Sequence, residues 1–310
     1  MTETALVLGE ALVDVVNRTD GTVDAHPGGS PANVAIGLGR LGRRVELLTW
    51  LGEDEHGAQV RAHLAASQVA VVPGSWDAPA TSVATATLDA TGAATYDFDL
   101  TWDLSAAAAP TAEPIVAHTG SIAAVVEPGA SKVLAALDSA RPHATITFDP
   151  NARPALMGAA ADARKAIEKV VHLADVVKVS DEDLEWLCGS VDDGSVDALA
   201  REWARSGPAF VVVTRGGSGA TAFSAAGAEV SIQAPRVTVA DTVGAGDSFM
   251  GGLIDGLWTA GLLGARRRDA LRAIDEDSLR LILERCARIA AITVSRPGAN
   301  PPSLEELAGA

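Results

Sequence analysis

Apolar residues along this chain gather into two kinds of run. Short β-rich pieces stand at Ala5–Leu8, Val45–Leu48, Thr145–Asp149, Val176–Val179, Phe210–Thr214 and Val237–Val239. Between them lie Ala- and Leu-rich stretches suited to helices: Ala32–Leu41, Gly57–Ala66, Ser131–Ser139, Ala159–His172, Asp181–Leu187, Val196–Ser206, Ser248–Trp258 and Ser278–Val294. Parallel strands need a crossover element between them, so strand–helix alternation at this spacing predicts an α/β fold. Its sheet is mostly parallel and covered by helices on both faces.

Two stretches break that rhythm. Leu12–Val16 and Gly21–Val23 flank Asn17-Arg18-Thr19-Asp20-Gly21, in which Asp20-Gly21 is a hairpin turn signal. Thr81–Leu88 and Ala94–Leu100 alternate apolar and polar positions around Asp89-Ala90-Thr91-Gly92, a second such signal. A period of two marks strands with one wet face. These pieces predict a small antiparallel sheet, a lid formed by about residues 12–26 and 80–104, on a single domain of residues 1–310. Surface hairpins without a binding role are the alternative reading. The Ala106–Pro110 run reads as the connection back to the core, and no internal repeat is evident.

Composition narrows the functional classes. The chain has 310 residues, 48% of them hydrophobic, enough for one large core and a small accessory sheet. No window nears ~18 unbroken apolar residues, which excludes a membrane-spanning helix. Met1-Thr2-Glu3-Thr4 runs straight into Ala5–Leu8, so the start reads as a first strand and not a signal peptide. Cys188 and Cys286 form no CxxC pair, which suits a reduced, cytoplasmic setting. The formal net charge of −16 disfavours nucleic acid and anionic membrane as partners. It also repels polyphosphates, so a phosphate site must be built locally. Lysines number four (Lys132, Lys165, Lys169 and Lys178), none follows a Gly-rich run, and the P-loop pattern is absent.

Asp241-Thr242-Val243-Gly244-Ala245-Gly246-Asp247 precedes the apolar helix Ser248–Trp258. Glycines before a helix leave amide N–H groups at the positive end of the helix dipole, an anion cradle that needs no lysine. A carboxylate at Asp247 beside it could take a proton from a hydroxyl while the amides hold a phosphoryl group. The same pattern fits a Gly-rich turn with Asp247 as a helix cap. The second motif is Pro27-Gly28-Gly29-Ser30-Pro31-Ala32-Asn33, where glycines admit close approach and Asn33 offers donor and acceptor to a polyol. Asp14 follows the first strand, and ligands gather at the carboxyl ends of parallel strands.

Gly28–Asn33 and Asp241–Asp247 together resemble the two signature regions of the ribokinase-like (PfkB) carbohydrate kinases, across essentially the whole chain. The resemblance implies a doubly wound α/β domain with a β lid, and ATP and Mg²⁺ as co-substrates. It implies Asp247 as catalytic base, with Gly244, Ala245 and Gly246 as the anion hole. Asp14, Gly28, Gly29 and Asn33 match positions that bind the sugar, and Arg153 could contact an acidic sugar. Thr214-Arg215-Gly216-Gly217-Ser218-Gly219 resembles the nucleotide loop, with Thr214, Gly216 and Gly219 as its contacts. Ser180 and Asp183 stand where the family carries Asn-x-x-Glu; Ser180 with Asp183 also reads as a helix capping pair. The resemblance further places a K⁺ loop at Asp241 and Val243, with Thr293, Arg296 and Gly298 opposite. Expected partners are a sugar and ATP, with a homodimer left open.

Gly37-Leu38-Gly39-Arg40-Leu41-Gly42 matches GxGxxG but ends a predicted helix instead of opening one, so capping is its better account. The six histidines form neither HxH nor HExxH. Gly9–Asp14, Phe148–Arg153 and Ile292–Ala299 look most like fructokinases. 2-Keto-3-deoxygluconate kinases, which share part of the pattern, come next, ahead of ribokinases. A non-catalytic sugar sensor on the same fold is the alternative from another class.

Overall fold

The computed structural model describes residues 3–88 and 94–309. A nine-stranded sheet forms its centre. In chain order its strands are β1 (Ala5–Leu8), β4 (Val45–Leu48), β5 (Val69–Val71), β8 (Val116–Gly120), β9 (Thr145–Asp149), β10 (Val176–Ser180), β11 (Phe210–Thr214), β12 (Ala220–Ser224) and β13 (Glu229–Ile232). The spatial order is β13-β12-β11-β10-β9-β8-β1-β4-β5. Strands β5 to β11 of this order pair in parallel, and β12 alone runs against its neighbours. Winding proceeds from β1 to β4 and β5 on one side, then restarts at β8 on the other. That reversal makes the β1–β8 boundary the topological switch point, where doubly wound sheets open a crevice beyond their strand ends.

Helices cover both faces, as the apolar pattern requires. One face buries α1 (Ser30–Arg40), α8 (Ala245–Thr259) and α10 (Glu276–Val294) against the sheet. The other buries α3 (Gly129–Ala140), α5 (Ala160–Leu173), α6 (Asp181–Cys188) and α7 (Asp193–Ser206). Helix α8 is buried from Asp247 to Leu257, packed between α1 and α10. Each wholly buried leucine or isoleucine on it contributes ~1.5–3 kcal/mol relative to exposure.

The two predicted hairpins form a separate four-stranded sheet ordered β3-β2-β6-β7. Its strands are β2 (Leu12–Asn17), β3 (Val23–Gly28), β6 (Val83–Leu88) and β7 (Ala94–Asp99). Each hairpin is antiparallel, and the two meet along a parallel β2–β6 seam. The first turn forms at Gly21, whose φ is 84°. The expected second turn, Asp89-Ala90-Thr91-Gly92, lies outside the described residues.

Three expectations change. Val237–Val239 is not a strand: β13 is the sheet's edge and ends at Ile232, so the chain beyond it has nothing to pair with. Val237 and Val239 stand exposed in the following loop. The strand expected at Gly21–Val23 starts at Val23 and runs on to Gly28, through Pro27, on an edge where a missing N–H is tolerated. Strands β5, β8, β12 and β13 are additional; β8, Val-Ala-His-Thr-Gly, is too polar to announce itself yet is wholly buried. The GxGxxG segment caps α1 at its C-terminal end, with Leu41 N–H bonded to Gly37 O and Gly42 N–H to Gly39 O.

Candidate active site

The carboxyl ends of β1, β8, β9, β10 and β11 open into a cleft of about 1080 Å³. At its middle sits Asp247, in the first turn of α8 and 6% exposed. Its Oδ1 accepts from Ser30 Oγ at 2.7 Å, and its Oδ2 from Asn33 Nδ2 at 2.8 Å. Asn151 Nδ2 approaches Oδ1 at 3.3 Å. The two Gly-rich motifs, more than two hundred residues apart, thus meet as one cluster where the N-termini of α1 and α8 abut. Three donors on one carboxylate fix its rotamer and keep its charge solvated without water.

Gly244 caps α8 with φ of 75°, a left-handed turn that aims the following amides into the cleft. Ala245 N–H bonds Thr242 O at 3.3 Å, which leaves the next amides of that turn, Gly246 and Asp247, as the better cradle. A side chain at Gly246 would meet Lys178 Nζ at 2.8 Å, so glycine there lets the ammonium on β10 sit close against the first turn of α8.

Lys178 escaped the sequence reading, since it follows no Gly-rich run. It is 3% exposed and lines the cleft while pairing with Asp149 Oδ2 at 2.8 Å. Burial works against its charge, but Asp149, Asp183 and Asp247 outweigh that and hold it as ammonium. Burial lifts Asp149 to about 6, against the pull of Lys178. At neutral pH the pair is ionic, and it sets a fixed positive charge beside the α8 N-terminus.

Asp14 faces the cleft from β2, in the space a side chain at Gly28 would need; glycine there makes room for the carboxylate. Surrounding protein raises the Asp14 carboxyl above its ordinary value, opposed by Arg153 and His26. Arg153 folds back to bond Asn151 Oδ1 at 2.8 Å, and it lines the cleft with Gly29 and Asn33. Leu12, Ala84, Phe98 and Leu100, from the small sheet and its edge, line this end.

At the other end lie Thr214, Gly216 and Gly219, together with Arg236 and Val237. Ser180 and Asp183 also line the cleft but bond each other as a full capping box. Asp183 N–H donates to Ser180 Oγ at 3.0 Å, and Ser180 N–H to Asp183 Oδ2 at 3.3 Å. Asp183 Oδ1 accepts from Ala152 N–H at 2.8 Å.

The expected cation residues gather less completely. Asp241 joins the two loops, its Oδ1 accepting from Val243 N–H at 3.0 Å and its Oδ2 from Gly298 N–H at 2.8 Å. Those amides hold its carboxyl below the usual range. The Thr293 side chain instead bonds Ile289 O within α10 and Ser248 Oγ across on α8, and Arg296 pairs with Glu306. Gly28, Asp241, Thr293, Arg296 and Gly298 do not line the cleft.

Besides Lys178, the sequence reading missed Ser30, Asn151, Ser121 and Glu10. Ser30 stood inside a quoted motif. Asn151 has φ of 36° and Ser121 φ of 54°. Left-handed non-glycine residues of this kind concentrate at functional sites, but no residue-type pattern announces them.

The family model for the pfkB family carbohydrate kinases matches residues 2–307. A fructokinase from Klebsiella pneumoniae is 36% identical over 263 residues, covering 83% of this chain and 85% of that protein. A fructokinase from Xylella fastidiosa, solved with bound ATP, superposes with a TM-score of 0.83 at 24% identity, covering 100% of this chain and 98% of the other. A fructokinase double mutant from Vibrio cholerae O395, solved in a form bound to fructose, ADP and potassium ion, gives 0.78 at 23% identity over 99% and 95% of the two chains. A doubly wound α/β sheet with a cleft-lining accessory sheet and a carboxylate at a helix N-terminus defines a sugar-kinase architecture. The chain belongs to the pfkB family of carbohydrate kinases.

Proposed function

We propose that this kinase is a fructokinase, transferring the γ-phosphoryl group of ATP to a hydroxyl of fructose. The observation that carries the reading is Asp247, held by Ser30 and Asn33 at the head of α8, between the Asp14–Arg153 end of the cleft and the Thr214–Gly219 end. Asp247 accepts the acceptor-hydroxyl proton as general base. Its carboxylate already accepts three hydrogen bonds, so it is oriented before substrate arrives. The Gly244–Gly246 turn and Lys178 stabilise negative charge on the transferring group, because both stand at the positive end of α8. Asp14, Gly29, Asn33 and Arg153 hold the sugar, Gly28 leaves room for the Asp14 carboxylate, and the small sheet acts as its lid. Thr214, Gly216 and Gly219 hold the nucleotide.

Mg²⁺ fits this site as a phosphate-borne ion. Among the described residues no group of three or more His, Cys, Asp or Glu side chains could hold a metal, and magnesium usually keeps waters and phosphate oxygens as most of its ligands. Asp183 lines the cleft with lone pairs to spare, and Asp149 Oδ1 is buried without a partner behind it. The ion would neutralise phosphate charge there. Fructose is favoured by the fructokinases among the relatives. Both cysteines are free, which suits the cytoplasm.

The test is ADP release over a panel of fructose, ribose, 2-keto-3-deoxygluconate and a nucleoside. Fructose should give the highest kcat/KM. A tenfold preference for 2-keto-3-deoxygluconate, about 1.4 kcal/mol in transition-state binding, would replace fructose by that acid. No sugar-dependent ADP release would leave a sensor as the better reading.

A further inference from the structure

The turn from β1 into β2 carries a carboxyl that the mechanism above does not use. Glu10 follows Gly9 at the switch point between β1 and β8, is 5% exposed, and lines the cleft. Its Oε2 is buried without a hydrogen-bond partner. Such an atom is costly unless something supplies a partner, and the residue that carries it is part of the cleft wall. Around it stand Ser121 and Arg153, from the turns after β8 and β9, and Asp247 from α8.

Asp14 and Asp247 accept hydrogen bonds only. A polyol held between two carboxylates spends its hydroxyl protons on them, and its oxygens then need donors. A carboxylic acid at Glu10 supplies one where a second buried anion next to Asp247 would be repelled. Burial pushes the Glu10 carboxyl up to about 8, with Asp247 adding to the rise and Ser121 and Arg153 opposing it.

We propose that Glu10 is a further sugar-binding residue, which engages the sugar as the neutral acid and donates from its carboxyl to a hydroxyl oxygen. This rests on the reading of the cleft as a sugar site. Glu10 stands two residues beyond β1, the strand at the switch point, and lies near enough to Asp247 for the two charges to repel. It therefore reads the hydroxyls near the one that Asp247 deprotonates. The charged groups acting on it are Asp247 from α8 and Arg153 from the turn after β9, and Arg153 also acts on Asp14 of the small sheet.

The experiment is steady-state kinetics with fructose from pH 6 to 9.5, at saturating ATP, for the wild type, Glu10→Gln and Glu10→Ala. The acid is lost above pH about 8, and donor and neutrality go with it. The wild-type KM for fructose should therefore climb through that region. Glu10→Gln keeps a neutral donor, so its KM should stay within about twofold of wild type at pH 7 and remain flat to pH 9. Glu10→Ala should raise the fructose KM about fivefold to tenfold and leave the ATP KM unchanged. A fructose KM unaltered by Glu10→Ala overturns the inference. So does a rise through pH 8 that Glu10→Gln shares with the wild type, and this arm decides alone if the alanine variant does not fold. A wild type that phosphorylates no sugar overturns the functional reading, and this inference with it. A wild type active on fructose beside an indifferent Glu10→Ala overturns this inference only.

Discussion

At Asp247 the same side chain is both a structural joint and the group proposed to do the chemistry. Replacing it by asparagine keeps the shape and one acceptor, but it turns an amide toward Asn33 and removes the base. Asp247→Asn should stay folded and lower kcat by roughly 10²–10⁴-fold, read by sugar-dependent ADP release; near-normal turnover would remove Asp247 from its role. Lys178 makes the opposite kind of claim. Removing its ammonium leaves Asp149 buried with no counter-charge, and breaking a buried pair in this way costs about 3–5 kcal/mol. Lys178→Met should therefore unfold at markedly lower denaturant, and Lys178→Met with Asp149→Leu should recover most of that stability. Activity should not return in the double variant, because the positive charge beside α8 stays absent. Recovered activity would make Lys178 a packing residue only.

The elements differ in how far the sequence announced them. Strands β1, β4, β9 and β11 coincide with their apolar runs, because each is flanked by turn residues and buried on both faces. Helices α1 and α8 were placed by their Gly-rich starts. Strand β8 was not, since His118 and Thr119 look polar in sequence, yet both are buried, with His118 Nδ1 bonded to Thr147 Oγ1 and Thr119 Oγ1 to Leu8 O. Asp247 and Asp14 could be picked from motifs, whereas Lys178 and Glu10 take their importance from residues more than twenty-five positions away. The small sheet is legible as alternation, but its placement over the cleft is not. Ala84 and Phe98 line the cleft from strands that pack little on the main body, an arrangement suited to closing on a ligand. Hydrogen exchange in Val83–Leu88 and Ala94–Asp99 should slow when fructose saturates the protein. Exchange that ignores the sugar would make these strands a fixed wall and not a lid.

Over the whole molecule the charge of −16 opposes every polyphosphate that approaches. Attraction must come from the head of α8, from Lys178 and from Arg153 and Arg236 at the cleft. A monovalent cation beside the loop that leads into α8 would add to this field without adding a side chain. The loops proposed to hold it, Asp241–Val243 and Thr293–Gly298, are already drawn together by Asp241, which bonds Val243 and Gly298 through separate oxygens. Thr293 and Arg296 direct their side chains elsewhere. A K⁺ ion would therefore have to be held by main-chain carbonyls, which suit a large, weakly charged ion. Asp241 would set the loop spacing and supply the compensating negative charge. The expected result is several-fold activation by K⁺ over a bulky organic cation at matched ionic strength, with kcat more affected than the fructose KM, because the ion steadies the Gly244–Gly246 turn and does not touch the sugar. Asp241→Ala should abolish the activation. It should also lower basal kcat, since the Gly298 contact that ties the two loops and the Val243 contact that shapes the first both go with it. Asp241→Asn keeps one acceptor and should retain part of the loop geometry while losing most of the K⁺ response. Equal rates in the two salts would mean that the Asp241 bridge orders the turn by itself, and a response that survives Asp241→Ala would put the cation elsewhere.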